Sequence, residues 1–295
     1  GLAFGGGTPS PSALTEEWVA AGAGLGAWST EANLNTARTD LAGAGIQTAA
    51  LAFGGSVPPN TGATELYDGT SWTEVNDLNT ARSLLAGCGT STAGLAFGGN
   101  EDTETWNGTN WTEVNNLNAA KDALGGFGTN TSALAFGGSE PGGNTANTEL
   151  WNGTNWTEVN NLGGAKRFVA GAGADNTTGL CFGGNPGPTA NTELWNGTNW
   201  AEVNNLNTAR NQLAGLGTQP SALAFGGEGP PNLAITELWN GTSWSEQGDL
   251  NAAVRFNAGA GTTTAGLSFG GDNGPVKAAT ESWNVPSNVV KTLTD

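Results

Sequence analysis

Ala133-Leu-Ala-Phe-Gly-Gly138, Thr148-Glu-Leu-Trp-Asn-Gly153 and Trp156-Thr-Glu-Val159 form one phrase, closed by Asn161-Leu162, and the chain repeats it from end to end. Phe-Gly-Gly recurs at Phe4, Phe53, Phe97, Phe136, Phe182, Phe225 and Phe269, at spacings of 49, 44, 39, 46, 43 and 44 residues. A period in the forties, with short β-like runs and a fixed aromatic pair, predicts an all-β propeller built from four-stranded antiparallel blades. Seven copies predict seven blades, in one domain spanning residues 1–295.

Each strand of a copy is legible. Leu41-Ala-Gly-Ala-Gly45, with copies starting at Leu85, Leu124, Val169, Leu213 and Asn257, alternates the smallest residues. Glycine costs backbone entropy in a strand and packs nothing, so this segment suits a crowded axis and is expected innermost. Ala50-Leu-Ala-Phe-Gly-Gly55 is a continuous apolar run, as a strand with a blade on each face requires. Asn152-Gly153 between the third and fourth strands marks a tight hairpin, because both residues tolerate positive φ. The aromatic pairs are Tyr67/Trp72, Trp106/Trp111, Trp151/Trp156, Trp195/Trp200 and Trp239/Trp244, with Trp18/Trp28 assigned to the first copy and Trp283 alone in the last. Rings locked to the repeat fill the wedge between blades. Second and third strands number seven but first strands only six. Residues 289–293 are therefore expected to supply the fourth strand of the last blade, or to cross over and complete the first.

Composition excludes several partners. The net charge is −17, from 26 acidic and 9 basic residues. Nucleic acid or an anionic membrane rewards a basic face, so neither is expected as a partner. No run approaches the roughly 18 apolar residues of a spanning helix, so no membrane insertion is expected. The 49 glycines among 295 residues would suit a disordered chain, but 12 Trp and 10 Phe at repeat positions do not. Residue 1 is Gly and Met is absent, so the chain is expected to belong to a longer polypeptide. Cys88 and Cys181 stand where other copies carry Ala, and both are expected to be small, buried and unbridged.

Charged residues also follow the repeat. Glu17, Glu65, Glu104, Glu149, Glu193, Glu237 and Glu281 recur once per copy, and so do Arg38, Arg82, Lys121, Lys166, Arg210 and, displaced by one, Arg255. Matching positions predict a structural ring of ion pairs, with Arg82, Lys121 and Arg210 each near a Glu. Exposed pairs of this kind contribute about 0–1 kcal/mol each. A catalytic centre should break the repeat, and no copy stands out as doing so. Without His or an activated Cys, no nucleophile or general base near neutral pH is evident. Two separated Cys cannot make a zinc site. The chain is expected not to be an enzyme, with no catalytic residue, metal or cofactor. Asn107, Asn152, Asn196 and Asn240 open Asn-Gly-Thr triplets that match a glycosylation acceptor, but the hairpin already demands Asn-Gly.

The double Gly after an apolar strand, and the aromatic followed by Trp at near-fixed spacing, resemble the kelch family of β-propellers over essentially the whole chain. Leu-Ala-Phe-Gly-Gly, Thr-Glu-Leu-Trp-Asn-Gly and Leu-Asn-Thr-Ala-Arg are more particular. They resemble kelch-like arrays in structural proteins of tailed phages, especially those of marine bacteria and cyanobacteria. The kelch family includes copper radical oxidases, whose metal needs His and Tyr ligands; this chain has no His, and Tyr67 sits at an ordinary Trp position. The phage resemblance implies an exposed virion part, a tail, fibre or head decoration, that is structural or binds a host surface. Its partner would be another virion protein or a host receptor, a glycan among the candidates. A secreted or cell-surface bacterial adhesion propeller is the alternative. A carbohydrate-active enzyme, suggested by the acidic loops at Asn100-Glu-Asp102 and Asp272-Asn273, is a third reading.

The expected contact residues lie in the variable loops between second and third strands. They are Pro58 and Asn60, Asn100 and Asp102, Pro141 and Asn144, Pro186 and Pro188, Pro230 and Asn232, and Asp272 and Asn273. Loops that leave the same edge of every blade gather on one face of a disc, where they vary without disturbing the scaffold.

Overall fold

The computed structural model describes residues 25–286. Phe4, the loop at 7–14, Glu17, Trp18 and residues 289–293 lie outside the described residues. The described chain folds into six four-stranded antiparallel sheets. Blade one runs Ala42–Ile46, Ala49–Phe53, Thr64–Tyr67 and Trp72–Val75 from the axis outward. Blades two to six begin at Leu85–Thr90, Gly125–Thr129, Ala170–Asp175, Ala214–Thr218 and Ala258–Gly261. These Ala-Gly strands pack against one another around the whole ring, so they are innermost as expected.

The blade count departs from expectation, and the chain ends explain why. Blade six takes three strands, Ala258–Gly261, Ala265–Phe269 and Thr280–Asn284, from one end of the propeller sequence. Its fourth strand is Ala27–Thr30 from the other end, paired antiparallel with Thr280–Asn284 so that Trp28 lies opposite Trp283. Trp28 is therefore the partner of Trp283, and among the described residues the sheet is completed by the strand Ala27–Thr30. The ring has six blades, matching the six inner strands and not the seven Phe-Gly-Gly phrases.

Packing between blades is a sixfold device. Each outer-strand Trp lies against the Phe of the preceding blade's Phe-Gly-Gly: Trp111 on Phe53, Trp156 on Phe97, Trp200 on Phe136, Trp244 on Phe182, Trp28 on Phe225 and Trp72 on Phe269. The ring centroids are 4.8–5.1 Å apart and the planes are tilted or edge-on, the geometry that aromatic quadrupoles favour. Each of these indoles also donates its Nε1 hydrogen, at 2.9–3.1 Å, to the Oγ1 of a Thr in the preceding blade. The same Phe explains the inner glycines. A Cβ on Gly43, Gly87, Gly126, Gly171, Gly215 or Gly259 would fall 2.3–2.7 Å from a Phe Cζ of the neighbouring blade. Cys88 and Cys181 are free and buried, and burial pushes the Cys181 thiol up to about 12.

Five pairs of the expected charged ring are present and buried, while the sixth base, Arg255, pairs with the loop carboxylates Glu228 and Asp272 rather than with Glu281. Arg38, Arg82, Lys121, Lys166 and Arg210 pair with Glu65, Glu104, Glu149, Glu193 and Glu237 of the following third strand, with nearly inaccessible side chains on both sides. The expectation of exposed pairs is thus corrected: the apolar strands and the Trp wedge close over the Thr-Glu phrase. Burial pulls the Arg210 guanidinium down to about 10 even with Glu237 3.0 Å away. Desolvation therefore outweighs the attraction of the partner.

Candidate functional site

The variable loops and the connections entering each inner strand share one face. Thr39 bridges Ser56, Asp122 bridges Ser139, Arg167 bridges Asn185, Asn211 bridges Glu228 and Arg255 bridges Asp272. This brings the loop residues beside the mouth of the central channel. Pro58, Asn60, Pro141, Pro186, Pro188, Pro230 and Asn273 are exposed there. Asn100, Asp102, Asn144, Asn232 and Asp272 are half-buried, and most of these are engaged within the loops. Asn100 Nδ2 donates to Asp102 Oδ2 at 2.8 Å, Asn144 Nδ2 donates to the Asn185 carbonyl at 3.3 Å, and Asp272 accepts from Arg255 Nε at 3.1 Å. The surface offered outward is largely proline.

Sequence reasoning missed the channel mouth itself. Just before each inner strand one repeat position is occupied in turn by Asp40, Leu84, Ala123, Phe168, Gln212 and Phe256. All six have φ between 52° and 57°, the left-handed region that costs a non-glycine residue about 1–2 kcal/mol. Their backbones form a closed cycle in which each N–H donates to the corresponding carbonyl of the preceding blade, at 2.8–3.2 Å. The backbone closes the ring whatever the side chain. Glycine would be the least strained choice, yet a chain with 49 glycines places none there. Side chains thus stand at the mouth in spite of the strain.

Those side chains differ from blade to blade. Phe168 and Phe256 meet edge-on at 5.5 Å, with Arg167 over the first ring at 4.9 Å and Arg255 over the second at 5.4 Å. Arg255 also holds Glu228 and Asp272, at 3.1 Å each. Leu84 and Ala123 make the opposite side apolar. Burial raises the Asp40 carboxyl to about 6, with the Asp272 charge adding to the rise and Thr39 and Arg255 opposing it.

The raised carboxyl has a consequence for stability. The folded protein holds the Asp40 proton more tightly than the unfolded chain, so stability falls as pH rises from about 4 through 6 and stays lower above. The full shift corresponds to about 3 kcal/mol, and partial exposure reduces it to roughly 1–2 kcal/mol. Asp40→Asn is expected to raise the melting temperature at pH 7.5 and to leave it unchanged at pH 4. An equal change at both pH values would show that Asp40 is not perturbed.

No protein-family model matches this chain, and no curated protein matches it by sequence. The fold is shared with YjhT. The solved structure of YjhT superposes with a TM-score of 0.72 at 14% identity, over 87% of this chain and 97% of that one. Together with the channel mouth, this corrects the expectation that the chain is not an enzyme. That expectation rested on an unbroken repeat and on the want of a group titrating near neutral pH. The repeat is broken at the channel mouth, Asp40 titrates near 6, and a propeller ring like that of YjhT gives no ground for excluding turnover.

Proposed function

We propose that the chain is a recognition propeller whose loop face, centred on the channel mouth, binds a partner. One observation carries this reading: the framework is nearly identical in every blade, while the loops and the six left-handed residues differ on that single face. Variation confined to one surface of a rigid scaffold is how binding sites are diversified without loss of fold. The kelch-like phrases Leu-Ala-Phe-Gly-Gly and Thr-Glu-Leu-Trp-Asn-Gly, and their likeness to phage arrays, support a setting on a virion surface. The partner is then a host receptor or a neighbouring virion protein.

Exchanging the loops at 56–63, 139–147, 185–191 and 228–235 for the short version at 100–102 tests the proposal. Attachment to host cells, or incorporation into particles, is expected to fall at least tenfold, with the melting temperature little changed. Undiminished attachment and assembly would remove this face as the functional surface.

A further inference from the structure

Blade four lacks a side chain that the other blades possess. Where the chain enters a blade, Asn35, Asn79, Asn118, Asn207 and Asn251 occupy the same repeat position, and blade four has Gly163 instead. Each asparagine donates its backbone N–H and its Nδ2 to one oxygen of the blade's buried Glu, at 2.7–2.9 Å. In blades one, two, three and five the same Nδ2 also donates to the carbonyl of the outer Trp, at 2.9–3.4 Å. Gly163 keeps only the backbone bond, to Glu193 Oε2 at 2.7 Å.

Beside Gly163 lies a cavity of about 260 Å³, against about 90 Å³ at the channel mouth. Gly163, Lys166, Pro186, Thr189, Glu193 and Glu202 line it. Trp200, the outer Trp of this blade, is half-buried, while its counterparts in the other blades are buried. Next to Gly163, a Cβ on Gly164 would meet nothing within 4 Å. The cavity opens beside the blade-four loop, whose Pro186 and Pro188 are exposed.

We infer that this cavity is a binding pocket for a primary carboxamide, whose NH2 group takes the place of the missing asparagine side chain between Glu193 Oε2 and the Trp200 carbonyl. The chain itself displays the fitting group in four other blades, against the same two acceptors. Lys166, 2.5 Å from Glu193, already neutralises that carboxylate, which favours a neutral amide over an ammonium ion. Lys166 Nζ, with hydrogens beyond the one it gives to Glu193 Oε1, offers an N–H donor for the amide oxygen, while the Thr189 hydroxyl donates to Asn191 Oδ1 at 3.1 Å. The inference takes its biological setting from the recognition reading, but binding is measured on the purified protein and stands or falls without it.

Acetamide is the probe, and the indole N–H resonance of Trp200 is the readout. Acetamide is expected to shift that resonance saturably in the millimolar range, and Gly163→Asn to abolish the shift without lowering the melting temperature. The reverse variant, Asn207→Gly, is expected to create a second responsive site read at Trp244. A Gly-Asn-Gly peptide distinguishes the source of the amide: a matching shift assigns a side chain, and no shift assigns a free small amide. The inference is overturned if acetamide causes no saturable shift, if Gly163→Asn responds like the parent, or if methylammonium binds more tightly than acetamide. Each of these outcomes leaves the loop-exchange test untouched.

Discussion

Arg210→Met is expected to cost about 3–5 kcal/mol of folding stability, because it leaves Glu237 charged and buried without its partner. Neither side chain of the pair has measurable exposure. The guanidinium also donates to the carbonyls of Gly226, Ala224 and Ile235, at 3.2, 3.2 and 2.6 Å. Those bonds tie the entry of blade five to its second strand and to the loop that follows. Glu237→Leu alone should cost a similar amount for the mirror-image reason. The double variant should be far less damaging than the sum, since burying a matched apolar pair incurs no ionic desolvation. Arg255→Ala is the control. Its partners Glu228 and Asp272 are partly exposed, with Arg255 itself at 31%, so a change of about 1 kcal/mol or less is expected. Chemical denaturation midpoints at constant slope decide the matter. A cost for Arg210→Met no greater than that for Arg255→Ala would mean that the ring of pairs fixes nothing.

The blade, rather than the ring, was legible in the sequence. Inner Ala-Gly strands, the apolar run into Phe-Gly-Gly and the Asn-Gly hairpin all appear, although in the hairpin only Gly153 takes positive φ and Asn152 instead caps the turn with its Oδ1. Each is fixed by contacts inside one repeat or with its neighbour. Gly43 is glycine because the Phe269 ring presses on it, and that constraint recurs at every inner strand. The number of blades was not legible in the same way. A phrase count treats Phe4 like the others, whereas closure depends on which chain end supplies Trp28 to Phe225 and Trp283. Burial of the ion pairs was hidden too, since Thr-Glu and Ala-Arg read as surface text until the Trp wedge covers them. The candidate sites lie where the repeat falls silent. Asp40, Phe168 and Gln212 occupy a position defined only by the absence of glycine, and the carboxamide pocket by the absence of an asparagine at Gly163. Both signals were present in the sequence, but a search for added chemistry passes over a missing side chain.

Trp28→Ala is expected to remove about 3–5 kcal/mol, the usual cost of deleting a buried indole, and to change how the protein opens. The closing strand Ala27–Thr30 buries one side chain out of four. That side chain stacks on Phe225 at 4.9 Å and Trp283 at 5.4 Å, and it donates to Thr236 Oγ1 at 2.9 Å. Without it the strand keeps only its backbone bonds to Thr280–Asn284, the pairing by which the amino-terminal side of the described chain completes the sheet of blade six. Trp244 makes the equivalent contacts, with Phe182 at 4.9 Å and Thr192 at 3.1 Å, but its strand is held by a hairpin. Trp244→Ala should therefore cost a similar amount while leaving the ends together, since the hairpin loop keeps the effective concentration of its strand high. Hydrogen exchange separates the two variants. Amides of residues 280–284 should lose protection in Trp28→Ala well below the melting transition, and should keep it in Trp244→Ala. If both variants protect those amides equally, the ring is closed by something other than Trp28, and the six-blade assignment of the amino-terminal strand fails.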